Sequence, residues 1–248
     1  MSQIFSESEK MRGFLAKWSL MISFKGAHFP KEVILYGVFF YVRYGVSYRD
    51  LEEIMEERGV NVDHATLNRW VVNYSPLITA AAKKNKRAGV SSWRVDETYV
   101  KVKGKWVYWY RAVDKYGDTL DFMLSEQRDE AAATAFFKQA IDNNGLPHKV
   151  VMDKSGANYA GIENINLLML LAGWIGFFVE ICQIKYLINI IEQDHRFIKK
   201  ITKPMMGFKT FHSAQATLDG IETAHMIRKK QLSEDNVPAY KQFIKLAG

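Results

Sequence analysis

The amino-acid sequence predicts an α/β protein with a mixed five-stranded sheet and flanking helices, preceded by a small all-helical region. Three observations support this prediction. Residues 1–80 have helical patterns throughout, strand patterns begin at Trp93, and three consecutive strands are followed by alternating helices and strands. The chain has 248 residues, of which 48% are hydrophobic, so it can bury one large core with room for a small accessory domain.

The first region contains two short helices joined by a tight turn, between about residues 47 and 74. Ser47 can cap the first helix, with Asp50 as an acidic variant of the capping box, and Gly59 can end it. Asp63 can cap the second helix. This is the helix-turn-helix pattern, whose second helix reads the DNA major groove, although an ordinary helical hairpin fits the same residues. In the DNA-binding interpretation the outward residues are His64, Thr66, Asn68 and Arg69.

Two changes in composition divide the chain. We expect a helical region at 1–82, a basic linker at 83–92, a sheet-containing core at 93–230 and a C-terminal tail at 231–248. In the core, strands are predicted at 93–102, 106–113, 119–125, 149–153 and 176–182, and helices at 129–142, 157–172 and 186–200.

Charge and cysteine content limit the possible partners and compartments. The formal net charge is +7 and the pI is about 9.3, which favours a polyanionic partner such as nucleic acid or an anionic membrane. Cys182 is the single cysteine, so no internal disulfide can form and an intracellular setting is expected. The N-terminal residues have no signal-peptide pattern.

The most apolar stretch is Ile165–Val179. It is about 15 residues long, shorter than the roughly 20 that a membrane helix needs. Glu163 and Glu180 flank it. We therefore expect a buried helix followed by a buried strand, and no membrane span.

Three acidic residues stand at positions suited to chemistry. Asp96 lies within a hydrophobic strand, Asp153 ends the apolar strand KVVMD, and Glu192 lies in the helix KYLINIIEQDHRFIKK. Sites in open α/β sheets collect at the carboxyl ends of strands. Converging carboxylates need a cation, and Mg²⁺ suits them.

The Glu192 helix also has a cationic face. His195, Arg196 and Lys199 follow Glu192 by three, four and seven residues, so helical spacing places all four on one face. Leu187, Ile190, Ile191 and Ile198 form the opposite, core-facing stripe. A solvated charged face with ordinary ion pairs explains the same pattern. Spacing alone also does not exclude other acids as ligands, namely Glu97, Asp114 and Asp194.

Several other chemistries lack their motifs in this sequence. There is no glycine-rich phosphate loop of the Walker or dinucleotide type. One cysteine and six scattered histidines do not make a zinc site, and no GxSxG nucleophile elbow occurs.

Four segments in order carry a resemblance to a known family: YRDLEEIMEERGVNVDHATLNRWV, WRVDETYVKVKGKWVYWYRAVD, VMDKSGAN and QIKYLINIIEQDHRFIKKITKPMMGFKTF. Together they resemble bacterial insertion-sequence transposases of the IS-six type, which are DDE enzymes with a ribonuclease-H-like, retroviral-integrase-like core. The resemblance covers roughly residues 20–230.

The resemblance implies a function and a mechanism. Asp96, Asp153 and Glu192 match the catalytic and metal-binding carboxylates of a DNA transposase, which holds two Mg²⁺ or Mn²⁺ ions for cleavage and strand transfer. The helix-turn-helix would bind the terminal inverted repeats, and the chain would act as at least a dimer on DNA in the bacterial cytoplasm, at the nucleoid. Further DNA contacts are expected from His195, Arg196, Lys199, Lys200 and Lys203.

One spacing departs from the family pattern. Asp153 and Glu192 enclose 38 residues, where the family has about 34, and the surplus falls in the apolar stretch. Two alternatives therefore stay open: a ribonuclease-H-like nuclease that cleaves without joining, and a decayed copy that only binds DNA.

Overall fold

The computed structural model describes residues 22–174, 176, 178–232 and 236–248. The predicted helical region 1–82 lies outside the described residues up to position 21. In the described part, three helices come first: α1 (Lys31–Arg43), α2 (Tyr48–Glu56) and α3 (His64–Asn85). The sheet-containing part follows with β1 (Ser92–Val102), β2 (Lys105–Asp114), β3 (Thr119–Ser125), α4 (Glu130–Asn144), β4 (Lys149–Val151), α5 (Gly156–Leu171) and β5 (Glu180–Cys182). A 3₁₀ turn (Lys185–Ile188), α6 (Asn189–Thr202), α7 (Phe211–Arg228) and α8 (Ala239–Lys245) complete the order.

The caps of the helix-turn-helix are those predicted. The Ser47 hydroxyl accepts from the Asp50 amide at 3.1 Å, and the Asp50 carboxylate accepts from the Ser47 amide at 2.9 Å. Asp63 accepts from the Thr66 amide at 2.9 Å. Gly59 has a φ of +77°, a conformation that favours glycine at the end of α2. These bonds satisfy backbone groups that a helix end leaves free, so the two helices begin at these residues.

Helix α3 continues beyond the predicted end of the helix-turn-helix and runs to Asn85. Ile78 and Ala82 are buried, which extends the apolar stripe into the sheet-containing part. Lys83 Nζ lies 2.5 Å from the buried Asp121, so this lysine is paired within the protein. The basic stretch predicted as a linker therefore starts inside a packed helix, because tertiary contacts hold its residues in helical form.

The sheet has the strand order β3-β2-β1-β4-β5. Strands β1, β2 and β3 pair antiparallel, whereas β4 pairs parallel with both β1 and β5. Strands β4 and β5 have three residues each, fewer than predicted. Asp153 consequently lies in the loop two residues beyond β4 rather than at the last position of a strand.

Hydrophobic cores cover both faces of the sheet. On one face, α4 and α5 pack on residues that include Val95 and Tyr110. On the other, α1, α3, α7 and α8 share one core with Val100 and Trp109. Phe243 of α8 is buried against Phe39, with ring centroids 5.3 Å apart, so the expected C-terminal tail contains a packed helix.

The apolar stretch 165–179 differs from its prediction as a buried helix and strand. Ile162 and Ile165 are buried, but the last turn of α5 is exposed, with 74% of Leu171 accessible to solvent. The other exposed apolar residues of this segment are Leu167, Leu168, Leu170, Trp174 and Phe178. Among the described residues, no helix combines the length and the hydropathy that crossing a membrane requires.

Candidate active site

Asp96 lies on the central strand β1, opposite Arg111 of β2. Its side chain is about four-fifths buried, with 19% exposed. Burial and the negative charges of Glu97, Asp153 and Glu192 raise the pKa of Asp96 to about 7. A rigid strand holds this carboxylate where other negative charges concentrate.

Asp153, in the loop just beyond β4, is level with Asp96 of the neighbouring strand β1. The parallel register pairs Arg94 with Val151, and Asp96 and Asp153 each follow two residues later along their chains. Asp153 Oδ1 accepts from the Ser155 amide at 3.0 Å, which orients the carboxylate at the start of α5. The parallel pairing of β1 and β4 therefore brings the first two predicted carboxylates to the same edge of the sheet.

Glu192 projects from the first turn of α6 and is exposed. Ile191 and Ile198 anchor the helix in the core, and Ile191 packs in a cluster with Val151 of β4. A negative charge in the first helical turn interacts favourably with the helix dipole. The helix is thus fixed to the sheet while its acidic residue faces solvent near Asp96.

The donor set fits a hard divalent cation. Carboxylate oxygens are the ligands that Mg²⁺ prefers, and burial together with the neighbouring carboxylates raises the pKa of Asp96, so a bound cation would stabilise its charged form. Among the residues described, however, no three His, Cys, Asp or Glu side chains already form a metal cage. The two Asp residues are positioned by the strands, whereas Glu192 stands on an exposed helical turn with a flexible side chain.

His195 does not lie on the DNA-facing surface predicted for it. It is buried, with 4% exposed, and its Nδ1 lies 4.0 Å from Asp96 Oδ2. Burial and the positive charge of Arg111 lower the pKa of His195, so the imidazole is neutral. Its Nε2 has no hydrogen-bond partner among the described residues. His195 thus packs behind Asp96 and is not available to a DNA phosphate.

The core-facing stripe of α6 also differs from the prediction. The buried residues are Ile191, His195, Ile198 and Ile201, whereas Ile190 is exposed. A short 3₁₀ turn precedes α6 and buries Ile188. The helix is therefore rotated relative to the prediction, because a histidine replaces an isoleucine in the stripe that meets the sheet.

Three other acids were open as ligands, and each has a structural partner. Glu97 accepts from Arg128 Nε and, at 2.7 Å, from Asn158 Nδ2. Asp114 accepts from the amides of the β2–β3 turn, at 2.9 and 3.0 Å. Glu97 and Asp114 are therefore engaged within the fold, whereas among the described residues no Lys or Arg forms an ion pair with Asp96, Asp153 or Glu192.

Asp194, the third of these acids, belongs to a buried charge network that sequence analysis missed. Arg111 Nη2 donates to Asp194 at 2.5 Å, and Arg111 Nε donates to Glu222. His225 Nε2 lies 2.5 Å and Lys229 Nζ 3.2 Å from Asp194. Although burial acts in the opposite direction, the charges of Arg111 and Lys229 and the hydrogen bond with His225 lower the pKa of Asp194 far below its usual range. The network joins α6, β2 and α7 behind the site.

The remaining cationic residues of α6 are exposed: Arg196, Lys199 and Lys200, with Lys203 just beyond the helix. In α3, His64 and Arg69 are exposed, and Thr66 and Asn68 are half-buried. Arg69 Nη2 donates to the Thr66 hydroxyl at 2.6 Å, and His64 Nδ1 lies 2.9 Å from Glu52 of α2. Exposure is compatible with DNA contact, which stays a prediction for these eight residues.

The mixed sheet in the order β3-β2-β1-β4-β5, with helices on both faces, is that of a ribonuclease-H-like fold. A family described as DDE domain, of the IS240 transposase type, matches residues 90–231. The chain belongs to this family, the DDE transposases of insertion sequences of the IS-six type.

Two relatives from Staphylococcus aureus illustrate the similarity. The transposase for insertion sequence-like element IS431mec (strain N315) is 42% identical over 207 residues, covering 84% of this chain and 89% of the relative. The transposase for insertion sequence element IS257 in transposon Tn4003 has the same identity and coverage. Over most of its length, therefore, the chain is similar to transposases.

Solved structures show a more distant similarity. The catalytic core domain of BIV integrase is 14% identical with a TM-score of 0.41, covering 63% of this chain and 95% of that one. The HTLV-2 integrase catalytic core domain in complex with magnesium is 15% identical with a TM-score of 0.37, covering 65% of this chain and 84% of that one.

Proposed function

We propose that Asp96, Asp153 and Glu192 are the catalytic carboxylates of this transposase and that they act on the ends of an insertion sequence. The observation that carries the proposal is that Asp96 of β1 and Asp153, just beyond the parallel strand β4, lie level with each other, with the charge of Glu192 close enough to raise the pKa of Asp96. Three acids from distant parts of the chain share one electrostatic environment, which is the arrangement that metal-dependent phosphoryl transfer needs.

The family implies a divalent metal ion, and the proposal adds that two Mg²⁺ or Mn²⁺ ions bind per site. When bound, such ions supply Lewis-acid activation of the attacking hydroxyl and of the leaving oxygen. Asp96 and Asp153 would hold them from the rigid sheet, and Glu192 would complete the set from α6. The buried His195 and the Arg111–Asp194 pair would keep strand and helix in register.

The chain's other residues would bind and orient the DNA. Exposed cations of α6 lie on the same helix as Glu192, so they would hold phosphates beside the reacting one. The N-terminal half of α3 would read the terminal inverted repeat in the major groove. Because α3 continues into the core, end recognition and catalysis would be coupled through one rigid helix. The protein would work as at least a dimer, in the bacterial cytoplasm at the nucleoid.

A strand-transfer assay tests the proposal. Purified protein, terminal-repeat DNA and Mg²⁺ should give joined products, and Asp96→Asn should abolish joining while binding to the DNA end stays within about twofold. Asp129→Asn is a matched control, because Asp129 caps α4 and asparagine caps equally well. Cleavage without joining would indicate a nuclease instead. Joint loss of binding and joining in Asp96→Asn would assign Asp96 a folding role.

A further inference from the structure

A cavity of about 470 Å³ lies beside the candidate active site, and neither the carboxylates nor the helix-turn-helix contributes to it. Its walls are the β1–β2 hairpin, the C-terminal end of α6 and the loop that follows α6. The loop is attached to β1, because Phe208 exchanges backbone hydrogen bonds of 2.8 Å with Lys101 and Lys103. Gly207 makes the close approach possible, since a Cβ there would lie 3.1 Å from the Lys101 carbonyl oxygen. The cavity is therefore built from three segments held together.

Two aromatic residues line this cavity, and about half of the surface of each is exposed to solvent. Tyr99 is 55% and Trp106 is 56% exposed, and their ring centroids lie 4.9 Å apart in an edge-to-face arrangement. Most large aromatic residues of the sheet, such as Trp109 and Tyr110, are buried. Exposed tryptophan beside exposed tyrosine is costly in water unless a ligand covers it, so the pair indicates a binding surface.

The charged side chains that line the cavity are positive. Lys199 Nζ lies 5.4 Å from the ring centroid of Tyr99, and Lys101 Nζ lies 5.7 Å from that of Trp106. Lys203 adds a third lysine, and none of the described residues that line the cavity is Asp or Glu. A ligand that fits must combine a flat apolar group with negative charge. A nucleotide has both, because every base has a π-face and every phosphate is anionic.

The cavity is close enough to the carboxylates to receive the same DNA strand. Tyr99 follows Asp96 by three residues on β1, so its side chain leaves the opposite face of that strand. The link to the carboxylates is Lys199, which lies over the Tyr99 ring and follows Glu192 by seven residues, about 10 Å along α6. Successive nucleotides of a stacked strand rise about 3.4 Å. A base about three nucleotides from the reacting phosphate would therefore reach the aromatic pair.

We propose that Tyr99 and Trp106, flanked by Lys101, Lys199 and Lys203, form a stacking site for an unpaired base of DNA near the reacting strand end. Duplex DNA hides the faces of its bases, so the site selects DNA that is single-stranded or locally opened. The inference rests on the proposed function for its choice of DNA as the ligand. Within that function, the site would hold the end of the reacting strand apart from its complement.

Binding of single-stranded DNA tests the inference without metal or catalysis. The probe is a fluorescein-labelled 20-nucleotide strand of mixed sequence, compared with its duplex by anisotropy. Trp106→Ala and Tyr99→Ala should each weaken binding to the single strand by about five- to a hundredfold, with less than threefold change for the duplex. Trp106→Phe should retain most of the affinity. Tyr116→Ala is the matched control, because Tyr116 is 72% exposed beside Lys115 but lies at the opposite end of the β1–β2 pair.

Photocrosslinking identifies the contact directly. A strand carrying 5-iododeoxyuridine at single positions should crosslink to Tyr99 or Trp106 in the wild type, as located by mass spectrometry of the peptides. Three results would each overturn the inference. The wild type fails to bind the single strand, the alanine variants bind it as tightly as the wild type, or the crosslinks are confined to other segments. The strand-transfer assay reports separately on the carboxylates, so normal joining with unchanged Trp106→Ala binding would remove the stacking site alone.

Discussion

Arg111 on β2 and Asp194 on α6 form a buried ion pair, with Arg111 Nη2 2.5 Å from Asp194 Oδ2. Arg111 is also the register partner of Asp96 on β1. The pair therefore connects the helix that carries Glu192 to the strand next to Asp96. Two acids that stand two residues apart on α6 consequently have separate roles, one toward solvent and one toward the core.

These roles predict different effects of two substitutions. Glu192→Gln should abolish joining and leave the free energy of unfolding unchanged, because Glu192 is exposed at its helical turn. Asp194→Ala should lower the free energy of unfolding by about 3 kcal/mol, because it leaves the charge of Arg111 buried with fewer partners. Denaturant unfolding and the joining assay, applied to both variants, measure the difference. Destabilisation by Glu192→Gln would contradict the assignment.

The helix-turn-helix predicts sequence-specific binding by Arg69. Arg69→Ala should weaken binding to terminal-repeat DNA by about 1–3 kcal/mol and relax selectivity at one base pair, because a side chain near the start of α3 would reach base edges. Arg58→Ala is the control, since Arg58 is exposed on the preceding segment and donates to the Ile54 carbonyl oxygen at 3.0 Å. Titrations against terminal-repeat and scrambled duplexes measure the affinity and the selectivity of each variant. Equal losses on both duplexes would indicate a phosphate contact instead.

Phosphate contacts on α6 predict a change in salt dependence. Removing Arg196 and Lys200 together, as alanines, should reduce the slope of log affinity against log salt by about two, since each lost phosphate contact contributes about 0.9. Lys149→Ala provides the control, because this lysine pairs with Glu180 at 2.8 Å on the sheet. Anisotropy titrations at a series of salt concentrations between about 50 and about 300 mM measure the slope. An unchanged slope would place the DNA backbone elsewhere.

Asp219 predicts a pH-dependent stability. Burial raises its pKa to about 6, although Gln215 donates to it at 2.8 Å. The unfolded carboxyl has a pKa of about 3.9, so between about pH 4 and 6 the unfolded chain loses its proton first and stability falls as pH rises. Asp219→Asn removes this loss. Its free energy of unfolding should exceed the wild-type value by on the order of 1–3 kcal/mol at pH 8 and match it near pH 4. A gain of the same size at both pH values would indicate packing rather than ionisation.

Local patterns were sufficient for several parts of the structure. The caps at Ser47 and Asp63 follow from side chains and amides three residues apart, and strand β3 has its predicted bounds, Thr119–Ser125. Asp153 was expected at a strand end facing a crevice, and it lies level with Asp96. These features depend on short-range chemistry or on the general geometry of parallel strands, both of which a sequence displays.

Other parts depend on residues that are distant in the chain. Arg111 meets Asp194 across 83 residues and Glu222 across 111, so no local spacing predicts the network. Helix α7 is buried on nearly every side and lacks the one-sided periodicity that predicts a surface helix. The burial of His195 could not be predicted either. Helical periodicity shows which residues share a face of the helix, but it does not show whether the core or solvent covers that face.

The sequence by itself determined the family, the helix caps and the order of the strands along the chain, because these follow from ordered motifs and from interactions within a few residues. Tertiary structure decided that His195 is buried behind Asp96, that α3 continues from the helix-turn-helix into the core, and that Tyr99 and Trp106 remain exposed beside lysines. The physical reason is that burial and charge pairing arise where distant segments meet, and those meetings are set by packing rather than by neighbours in the chain.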